Sequence, residues 1–246
     1  MVSGEHGGLL TKLRRIRYSI ASTGLRRGLA DTVTVMLGYH PERDSSFDRQ
    51  FGTDTAGRIL PAHLGIADAA ARDHAILYLP SPARVTRWLI DNSRVNYQQC
   101  SFVDLGCGKG RVLLVASEYP FERIIGVEIS AELSAIARAN VDRYRPASRK
   151  CWDVVVEHAD ATTFAFPETD LLLHLYHPFE PTLTGDVLAQ LERSLRARPR
   201  RVVIAYLLYA AALEPVEEMF ARFPWLTRTR REQSVLGQYD CLFYSN

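Results

Sequence analysis

The residues best suited to chemistry lie in the stretch 102–128. A short apolar run there ends at Asp104, and a second apolar run ends at Glu128. Three glycines follow the first acid at alternate positions: Gly106, Gly108 and Gly110. Glycines between a strand and a helix let the backbone adopt positive φ and approach a ligand closely, and the helix N-terminus presents free N–H groups. An acid after the second strand can accept hydrogen bonds from a ribose diol. The order strand, glycine turn, helix, strand, acid predicts a nucleotide-binding α/β unit.

The spacing of the glycines narrows the ligand class. Dinucleotide-binding turns have the pattern G-x-G-x-x-G, whereas this turn reads acid-x-G-x-G-x-G. It resembles the first motif of the class I S-adenosylmethionine-dependent methyltransferases. That resemblance implies that Asp104 orients the methionine end of the cofactor, that the glycines approach its amino acid and ribose, and that Glu128 takes the ribose hydroxyls. It also extends the cofactor site to Cys107 and Ile129. The alternative is that the glycines only form a tight turn.

Composition places limits on the rest of the chain. The 246 residues are 47% hydrophobic and 24% charged, which is typical of a globular chain with one main domain. We predict a helical and loop extension over residues 1–63 and an S-adenosylmethionine-binding domain over residues 64–246. The four cysteines form no C-x-x-C pair, which argues against a zinc site or a redox dithiol. No apolar run is long enough to span a bilayer, and no signal peptide is visible, so we expect a cytoplasmic protein.

The N-terminus is basic, although the formal net charge of the chain is only +2. Apolar residues at helical spacing predict two amphipathic helices near residues 9–20 and 25–36. Their arginines either face solvent while the helices pack on the domain, or form an arm that binds an anionic partner such as nucleic acid or a membrane surface.

Residues 38–63 lack periodicity and are rich in polar residues and glycine, so we predict a long loop. The loop is similar to an N-terminal segment of a group of uncharacterised bacterial methyltransferases. That similarity implies that Asp54 and Thr55 line the mouth of the active site. The alternative is a surface turn in which Asp54 caps its own backbone.

Elements on either side of the glycine turn complete an α/β pattern. Ser81 is a plausible N-cap, with Pro82 at the first position of a helix that ends near residue 93. Tyr78, just before it, lies near the methionine end of the cofactor by resemblance or, alternatively, packs in the core. Further strands are predicted at residues 153–158, 170–176, 201–209, 226–233 and 238–244, with helices between them. The predicted fold is a three-layer Rossmann-like sandwich: a seven-stranded, mostly parallel sheet with an antiparallel C-terminal edge strand, plus N-terminal helices.

Two further segments follow predicted strands, where open α/β sheets bind ligands. At the first, the resemblance implies that Asp160 bonds the adenine amine and Ala161 a ring nitrogen; the alternative is that Asp160 caps a turn. The second reads Tyr-His-Pro-Phe and resembles the N-P-P-Y motif of amine-directed methyltransferases, although it has His177 in place of Asn or Asp. We predict that Tyr176, His177 and Phe179 form the acceptor pocket. His177 either acts as a general base or holds the loop, and His174 is predicted to be a core residue.

These resemblances imply transfer of a methyl group from S-adenosylmethionine to an acceptor that the sequence does not identify: a protein side chain, RNA or a small molecule. No metal is expected to take part. A non-catalytic S-adenosylmethionine-binding regulator is the main alternative. An NAD-dependent oxidoreductase is less favoured, because the glycine spacing differs and no second βαβ half is visible.

Overall fold

The structure is a computed structural model that describes residues 45–66, 76–208, 213–233 and 240–246. The two predicted N-terminal helices and their basic surface lie outside these residues. So does the predicted turn at residues 234–237. Within the described ranges, no helix has the length and apolar character needed to cross a membrane.

Seven strands form one sheet in the order β3-β2-β1-β4-β5-β7-β6. The strands are Cys100–Leu105 (β1), Arg123–Glu128 (β2), Val154–His158 (β3), Asp170–Tyr176 (β4), Val202–Leu208 (β5), Thr227–Gln233 (β6) and Asp240–Ser245 (β7). Strands β1 to β5 pair in parallel, and β7 pairs antiparallel with both β5 and β6. The predicted fold class is therefore confirmed.

The antiparallel strand lies one position in from the edge of the sheet, between β5 and β6. Composition explains this order. Strand β7 reads Asp-Cys-Leu-Phe-Tyr-Ser and is buried along almost its whole length, whereas β6 reads Thr-Arg-Thr-Arg-Arg-Glu-Gln. Charged side chains are tolerated on an edge strand, where they also discourage association with other chains. The apolar strand consequently takes the inner position.

Helices cover both faces of the sheet, as parallel sheets require. The described α-helices are Ser46–Phe51 (α1), Ala83–Asn92 (α2), Arg111–Ala116 (α3), Ala131–Arg143 (α4), Pro181–Ala197 (α5) and Leu213–Ala221 (α6). One core lies between the sheet and α2, α3 and α4, and includes Phe102 and Leu113. The other lies between the sheet and α5 and α6, and includes Leu188 and Phe220.

The prediction of a structureless loop over residues 38–63 is wrong, because α1 lies within it. Phe47 and Phe51 of this helix pack on Tyr144 with ring centroids 5.7 Å and 4.8 Å away. Gly52 ends the helix in the left-handed conformation, as is common after a helix C-terminus. Contacts with a distant residue, and not periodicity, define this helix. The boundary between residues 63 and 64 stays a prediction.

The predicted N-cap of α2 is wrong by one residue. The carbonyl of Pro82 accepts the first helical bonds, from the N–H groups of Val85 and Thr86, so Pro82 occupies the N-cap position. Its ring already holds φ near the observed −61°, and the extended ψ is allowed there. Ser81 makes no capping bond, and its buried Oγ has no hydrogen-bond partner among the described residues.

Candidate active site

A cavity of about 470 Å³ lies beyond the carboxyl ends of β1, β2 and β4. Its volume is within the roughly 300–1,000 Å³ usual for small-molecule sites. Ten of the predicted site residues line it: Tyr78, Gly106, Gly108, Glu128, Ile129, Asp160, Ala161, Tyr176, His177 and Phe179. Three others that were predicted to contact a cofactor do not line it: Asp104, Cys107 and Gly110.

The glycine turn is in the left-handed conformation, with φ of 74° at Gly106 and 53° at Gly108. A Cβ at Gly106 would lie 2.7 Å from Cβ of Pro178, and one at Gly108 would lie 2.3 Å from the ring of Tyr78. Both positions therefore require glycine, for conformation and for space. The space above the turn is filled by the chain's own side chains, so Tyr78 and Pro178 define the cavity on this side.

Gly110 and Cys107 have packing roles that the motif did not indicate. A Cβ at Gly110 would lie 3.1 Å from Cβ of Ala137, so this glycine lets the turn approach α4. Cys107 packs against Gly126 of β2, where a Cβ would lie 2.8 Å from its Sγ. Burial raises the pKa of the Cys107 thiol well above 9.0, so this cysteine stays protonated and is not a nucleophile at neutral pH.

Glu128 is held in place by backbone groups. Its Oε2 accepts a hydrogen bond from the N–H of Gly108, and its Oε1 accepts one from the N–H of Ser130, each at 2.8 Å. Burial raises the pKa of Glu128, and these two bonds oppose that effect. The carboxylate thus faces the cavity in a single orientation and retains further lone pairs on both oxygens.

Asp104 turns away from the cavity and towards His174. Its Oδ1 lies 2.6 Å from Nδ1 of His174, and both side chains are buried. His174 is fully buried, as predicted for a core residue, but its pairing with the acid was not anticipated. Its Nε2 has no hydrogen-bond partner among the described residues.

Tyr78 is held over the glycine turn by the segment that follows α1. Its hydroxyl donates to the carbonyl of Thr55 at 2.7 Å. Burial raises the pKa of Tyr78, so the hydroxyl stays protonated and continues to donate. Tyr78 therefore does not only pack against the core, as the alternative stated, because its ring also lines the cavity.

Asp48 organises this segment. Its carboxylate accepts hydrogen bonds from the hydroxyl of Thr53, the N–H and hydroxyl of Thr55, and the N–H of Ala56, at 2.6–2.9 Å. Arg111 lies 3.7 Å from the carboxylate and donates from Nε to the Thr55 hydroxyl at 2.6 Å. We call Asp48, Thr55 and Arg111 the brace.

The prediction that Asp54 and Thr55 line the mouth of the site is wrong, because neither is among the residues around the cavity. Thr55 is fully buried within the brace. Asp54 does not cap its own backbone either, since its carboxylate accepts from Nζ of Lys109 at 2.8 Å. Its N–H and carbonyl both bond to Asn140 on α4. Through these bonds Asp54 connects its own segment to Lys109 of the glycine turn and to α4.

Asp160 lies at the rim of the cavity and also caps a turn. Its Oδ1 accepts from the N–H and the hydroxyl of Thr162, each at 2.8 Å. Asp160 therefore caps a turn, as the alternative stated, and it also lines the cavity together with Ala161.

His177 has an unusual backbone conformation for a residue that is not glycine, with φ of 39°. Strain of this kind persists only where the surrounding structure enforces it. Its Nδ1 lies 3.1 Å from the hydroxyl of Tyr206. Burial lowers the pKa of His177 below 6.5, so the imidazole is neutral at pH 7 and able to accept a proton.

Several residues around the cavity were missed by sequence reasoning. They include Leu64 and Ile66, at the end of the described range 45–66, which pack with Leu133 of α4. Leu183, in the first turn of α5, also lines the cavity. Single apolar residues in irregular segments carry no periodic signal, so only the tertiary structure reveals them.

No group of His, Cys, Asp or Glu in the described parts of the chain is arranged to hold a metal ion. All four cysteines of the chain are free thiols and buried. Around the cavity, Glu128 and Asp160 follow β2 and β3 on one side of β1, whereas Tyr176, His177 and Phe179 lie at the end of β4 on its other side.

Comparison with known proteins gives the following matches. Residues 102–198 match a family model described as a methyltransferase domain. A protein-lysine N-methyltransferase from Saccharolobus islandicus is 33% identical over 67 residues, which cover 27% of this chain and 41% of that protein. The chain thus aligns with less than half the length of this curated relative.

Two solved structures are also similar. A putative RNA methyltransferase from Pyrococcus horikoshii is 16% identical, with a TM-score of 0.49, over 68% of this chain and 85% of that one. A ribosomal protein L11 methylase from Lactobacillus delbrueckii is 15% identical, with a TM-score of 0.49, over 66% of this chain and 76% of that one.

Proposed function

We propose that this chain, whose residues 102–198 match a methyltransferase domain, is a class I S-adenosylmethionine-dependent methyltransferase that transfers a methyl group to an acceptor bound beside His177. One observation carries the proposal. A single cavity is lined both by the glycine turn with Glu128 and by the aromatic segment 176–179. Methyl transfer needs the donor and the acceptor within one enclosed space, because the nucleophile must approach in line with the bond that breaks.

The residues at one end of the cavity suit the nucleoside of S-adenosylmethionine. Glu128 uses one lone pair on each oxygen for the N–H groups of Gly108 and Ser130. A carboxylate has about four lone-pair sites, so both ribose hydroxyls have an acceptor. Asp160 and Ala161 lie next to this position and would bond the adenine edge. Ile129 also lines the cavity and would contact the adenine ring.

The remaining residues would orient the methionine part and exclude water. S-adenosylmethionine, when bound, supplies a methyl group already activated on a sulfonium. The ring of Tyr78 over Gly108 and the ring of Pro178 against Gly106 narrow the space between the two ends of the cavity. Because both rings contact the glycine backbone directly, they would leave little room for water at the reacting centre.

The acceptor would enter between Tyr176, His177 and Phe179. These residues combine two aromatic rings with one neutral imidazole. The curated relative is a protein-lysine methyltransferase by name, so a lysine amine is the first acceptor to test. RNA bases and small molecules remain within the proposal. A cytoplasmic location and an anionic partner for the basic N-terminus stay predictions.

Calorimetric titration with S-adenosylmethionine, S-adenosylhomocysteine and NAD tests the cofactor assignment. We expect both adenosyl ligands to bind to the unmodified protein and to lose most of their affinity in Glu128→Ala. Glu128→Gln keeps the shape of the side chain and should weaken binding less. Glu157→Ala is the matched control, because Glu157 is an exposed acid on the neighbouring strand β3 and does not line the cavity.

Three results decide the proposal. Binding of NAD alone would refute it. Equal loss of affinity in the Glu128 and Glu157 variants would show that Glu128 has no specific role. Tight binding of S-adenosylmethionine without release of S-adenosylhomocysteine, in the presence of lysine-containing peptides, RNA and a small-molecule panel, would favour a non-catalytic regulator. The family match currently disfavours that alternative.

A further inference from the structure

We infer that Thr55 and Arg111 are positioning residues for the methionine part of S-adenosylmethionine, and that they act by fixing the ring of Tyr78 over Gly108. The inference rests on the proposed methyl transfer and concerns the same cavity. It gives a function to two buried side chains that are not among the described residues around the cavity.

The side chain of Tyr78 is held at both of its ends by the segment 55–59. The N–H of Tyr78 donates to the carbonyl of Ile59 at 2.9 Å, and the N–H of Ile59 donates to the carbonyl of Tyr78 at 3.2 Å. At the far end of the ring, the hydroxyl donates to the carbonyl of Thr55 at 2.7 Å. A tyrosine side chain turns about only two torsions, so bonds to its main chain and to its hydroxyl fix the position of the ring.

The chain around Thr55 is also attached to the glycine turn. Nζ of Lys109 donates to the carboxylate of Asp54 at 2.8 Å. Nδ2 of Asn140 on α4 donates to the carbonyls of Lys109 and Asp54, at 2.9 Å and 2.8 Å. Lys109 directly follows Gly108 in the chain. The segment that holds the Tyr78 hydroxyl is therefore bound beside the glycine that the ring covers.

Thr55 and Arg111 make this connection rigid. Nε of Arg111 donates to the hydroxyl of Thr55 at 2.6 Å, and that hydroxyl donates to Asp48 at 2.6 Å. Arg111 is the first residue of α3, directly after the glycine turn. A hydroxyl has one hydrogen to donate and lone pairs that accept, so the Thr55 hydroxyl is used in both directions. Its backbone carbonyl is thereby held where the hydroxyl of Tyr78 meets it.

The position of the ring decides which part of the ligand depends on it. A Cβ at Gly108 would lie 2.3 Å from the ring of Tyr78, so the ring lies directly over the turn. The ribose acceptor Glu128 is held by other groups, the N–H groups of Gly108 and Ser130. In the proposed binding mode, the methionine part extends from the ribose past the glycine turn. The ring of Tyr78 consequently bounds the methionine part and not the nucleoside.

A ring that is already fixed loses no further freedom when the ligand binds. Immobilising a free side chain on binding weakens affinity by about two- to tenfold. A fixed ring also keeps the methyl group in line with the acceptor, which methyl transfer requires. Thr55 and Arg111 thus contribute to binding and alignment of the ligand without touching it.

Calorimetric titration with S-adenosylhomocysteine and with adenosine tests the inference, because adenosine has no methionine part. Tyr78→Phe removes only the hydroxyl that bonds to Thr55. We expect this variant to bind S-adenosylhomocysteine about fivefold more weakly and adenosine with unchanged affinity. Tyr119→Phe is the matched control and should change neither affinity. Tyr119 is also partly buried, its hydroxyl donates to Asp91 at 2.9 Å, and it does not line the cavity.

Variants of the brace test the positioning role. Thr55→Val keeps the shape of the side chain but removes its hydroxyl, and Arg111→Lys removes the Nε–H group that donates to it. Both should reproduce the selective loss of affinity for S-adenosylhomocysteine, whereas Thr55→Ser keeps the hydroxyl and should bind as the unmodified protein does. Thr86→Val is the control, because Thr86 is equally buried and its hydroxyl donates at 3.5 Å to the N-cap carbonyl of its own helix.

A double-mutant cycle shows whether Thr55 acts through the ring. In a Tyr78→Ala background, Thr55→Val should cause no further selective loss, because the ring that it positions is absent. A selective loss of the same size in both backgrounds would contradict a role that passes through Tyr78.

The outcomes separate this inference from the proposed function. If the unmodified protein binds neither ligand, the proposed function fails and this inference fails with it. If it binds both, an unchanged affinity for S-adenosylhomocysteine in Tyr78→Phe overturns only the present inference, whichever brace variants fold. Equal weakening of both ligands also overturns it, since that result indicates a purely structural role. A selective loss in Tyr78→Phe that neither Thr55→Val nor Arg111→Lys reproduces overturns the roles of Thr55 and Arg111.

Discussion

Replacement of Asp48 by asparagine tests the brace that holds Tyr78 over the glycine turn. The side chain of Asp48 is only 11% exposed, and both of its oxygens accept hydrogen bonds from Thr55, while Thr53 and Ala56 bond to one oxygen each. Asparagine has the same shape but presents an NH₂ group in place of one oxygen. If this group replaces Oδ2, it faces the N–H of Ala56, which then has no acceptor; if it replaces Oδ1, it faces the hydroxyls of Thr53 and Thr55, which then lose their acceptor.

The size of the effect follows from the groups left unpaired. A hydrogen bond to a charged acceptor contributes about 1.5–3 kcal/mol, and an unpaired buried donor costs about 1–3 kcal/mol. Arg111 is 4% exposed beside the carboxylate, so its charge also loses compensation. Removing one member of a buried charge pair costs about 3–5 kcal/mol. We expect Asp48→Asn to lower the free energy of unfolding by about 3 kcal/mol at pH 7. This value is at the lower end of the range, because the ion-pair distance between Arg111 and Asp48 is long, at 3.7 Å.

The loss should depend on pH. Burial alone would raise the pKa of Asp48, but the hydrogen bonds from Thr55, Thr53 and Ala56 together lower it below 3.8. The unfolded state therefore binds the proton more readily than the folded state. The stabilisation is complete above about pH 5 and decreases as the pH falls through the folded pKa. The difference between the two proteins should accordingly shrink in acid.

Urea unfolding at several pH values measures the loss of stability and its dependence on pH. Titration with S-adenosylhomocysteine measures whether the loss of the brace also affects the cavity. Asp54→Asn is the control, because the side chain of Asp54 is 58% exposed in its pair with Lys109 and such pairs contribute at most about 1 kcal/mol. A loss below 1 kcal/mol for Asp48→Asn would refute this reasoning. So would a loss that stays the same from neutral pH into acid.

Two further changes have defined outcomes. Gly108→Ala places a Cβ 2.3 Å from the ring of Tyr78 at a positive φ that costs an L-residue about 1–2 kcal/mol. We expect at least a tenfold loss of affinity for S-adenosylhomocysteine in calorimetry, partly restored by adding Tyr78→Ala; purely additive effects would contradict the contact. Glu118→Gln should cost about 1–3 kcal/mol in urea unfolding at pH 7, because Glu118 accepts two bonds from Arg87 at 2.8 Å and one from Tyr144 at 2.6 Å. Burial would raise the pKa of Glu118, but these bonds lower it, so its contribution should decrease as the pH falls, and a loss independent of pH would count against that role.

The sequence predicted the sheet and most of the residues that line the cavity, because those features depend on local patterns. Strand β4 was predicted with the bounds that the structure shows, since its apolar run is flanked by polar and turn-forming residues. Ser130 directly precedes α4, where serine is a favoured N-cap, and its Oγ accepts from the N–H of Leu133. Both signals lie within a few residues of the element that they define.

What could not be predicted depends on residues that are far apart in the chain. Helix α1 is defined by contacts with Tyr144, and Asp104 is turned from the cavity by His174. Gly108 lines the cavity, as predicted, but the residue that leaves no space for a side chain there is Tyr78. A motif predicts that a residue is constrained, but the packing partner that imposes the constraint appears only when distant segments meet.

The inner position of β7 has a consequence for how the chain is made. During synthesis from the N-terminus, β5 emerges with one edge that only β7 can occupy, and β6 emerges before its own partner exists. Strand β5 is seven uncharged residues, all buried in the finished sheet, a composition that favours pairing with other chains when exposed. A nascent chain that has been synthesised only as far as β6 therefore exposes the unpaired edge of β5, which favours aggregation. Because β7 pairs with both β5 and β6, neither strand can complete its pairing in the sheet until β7 has been synthesised.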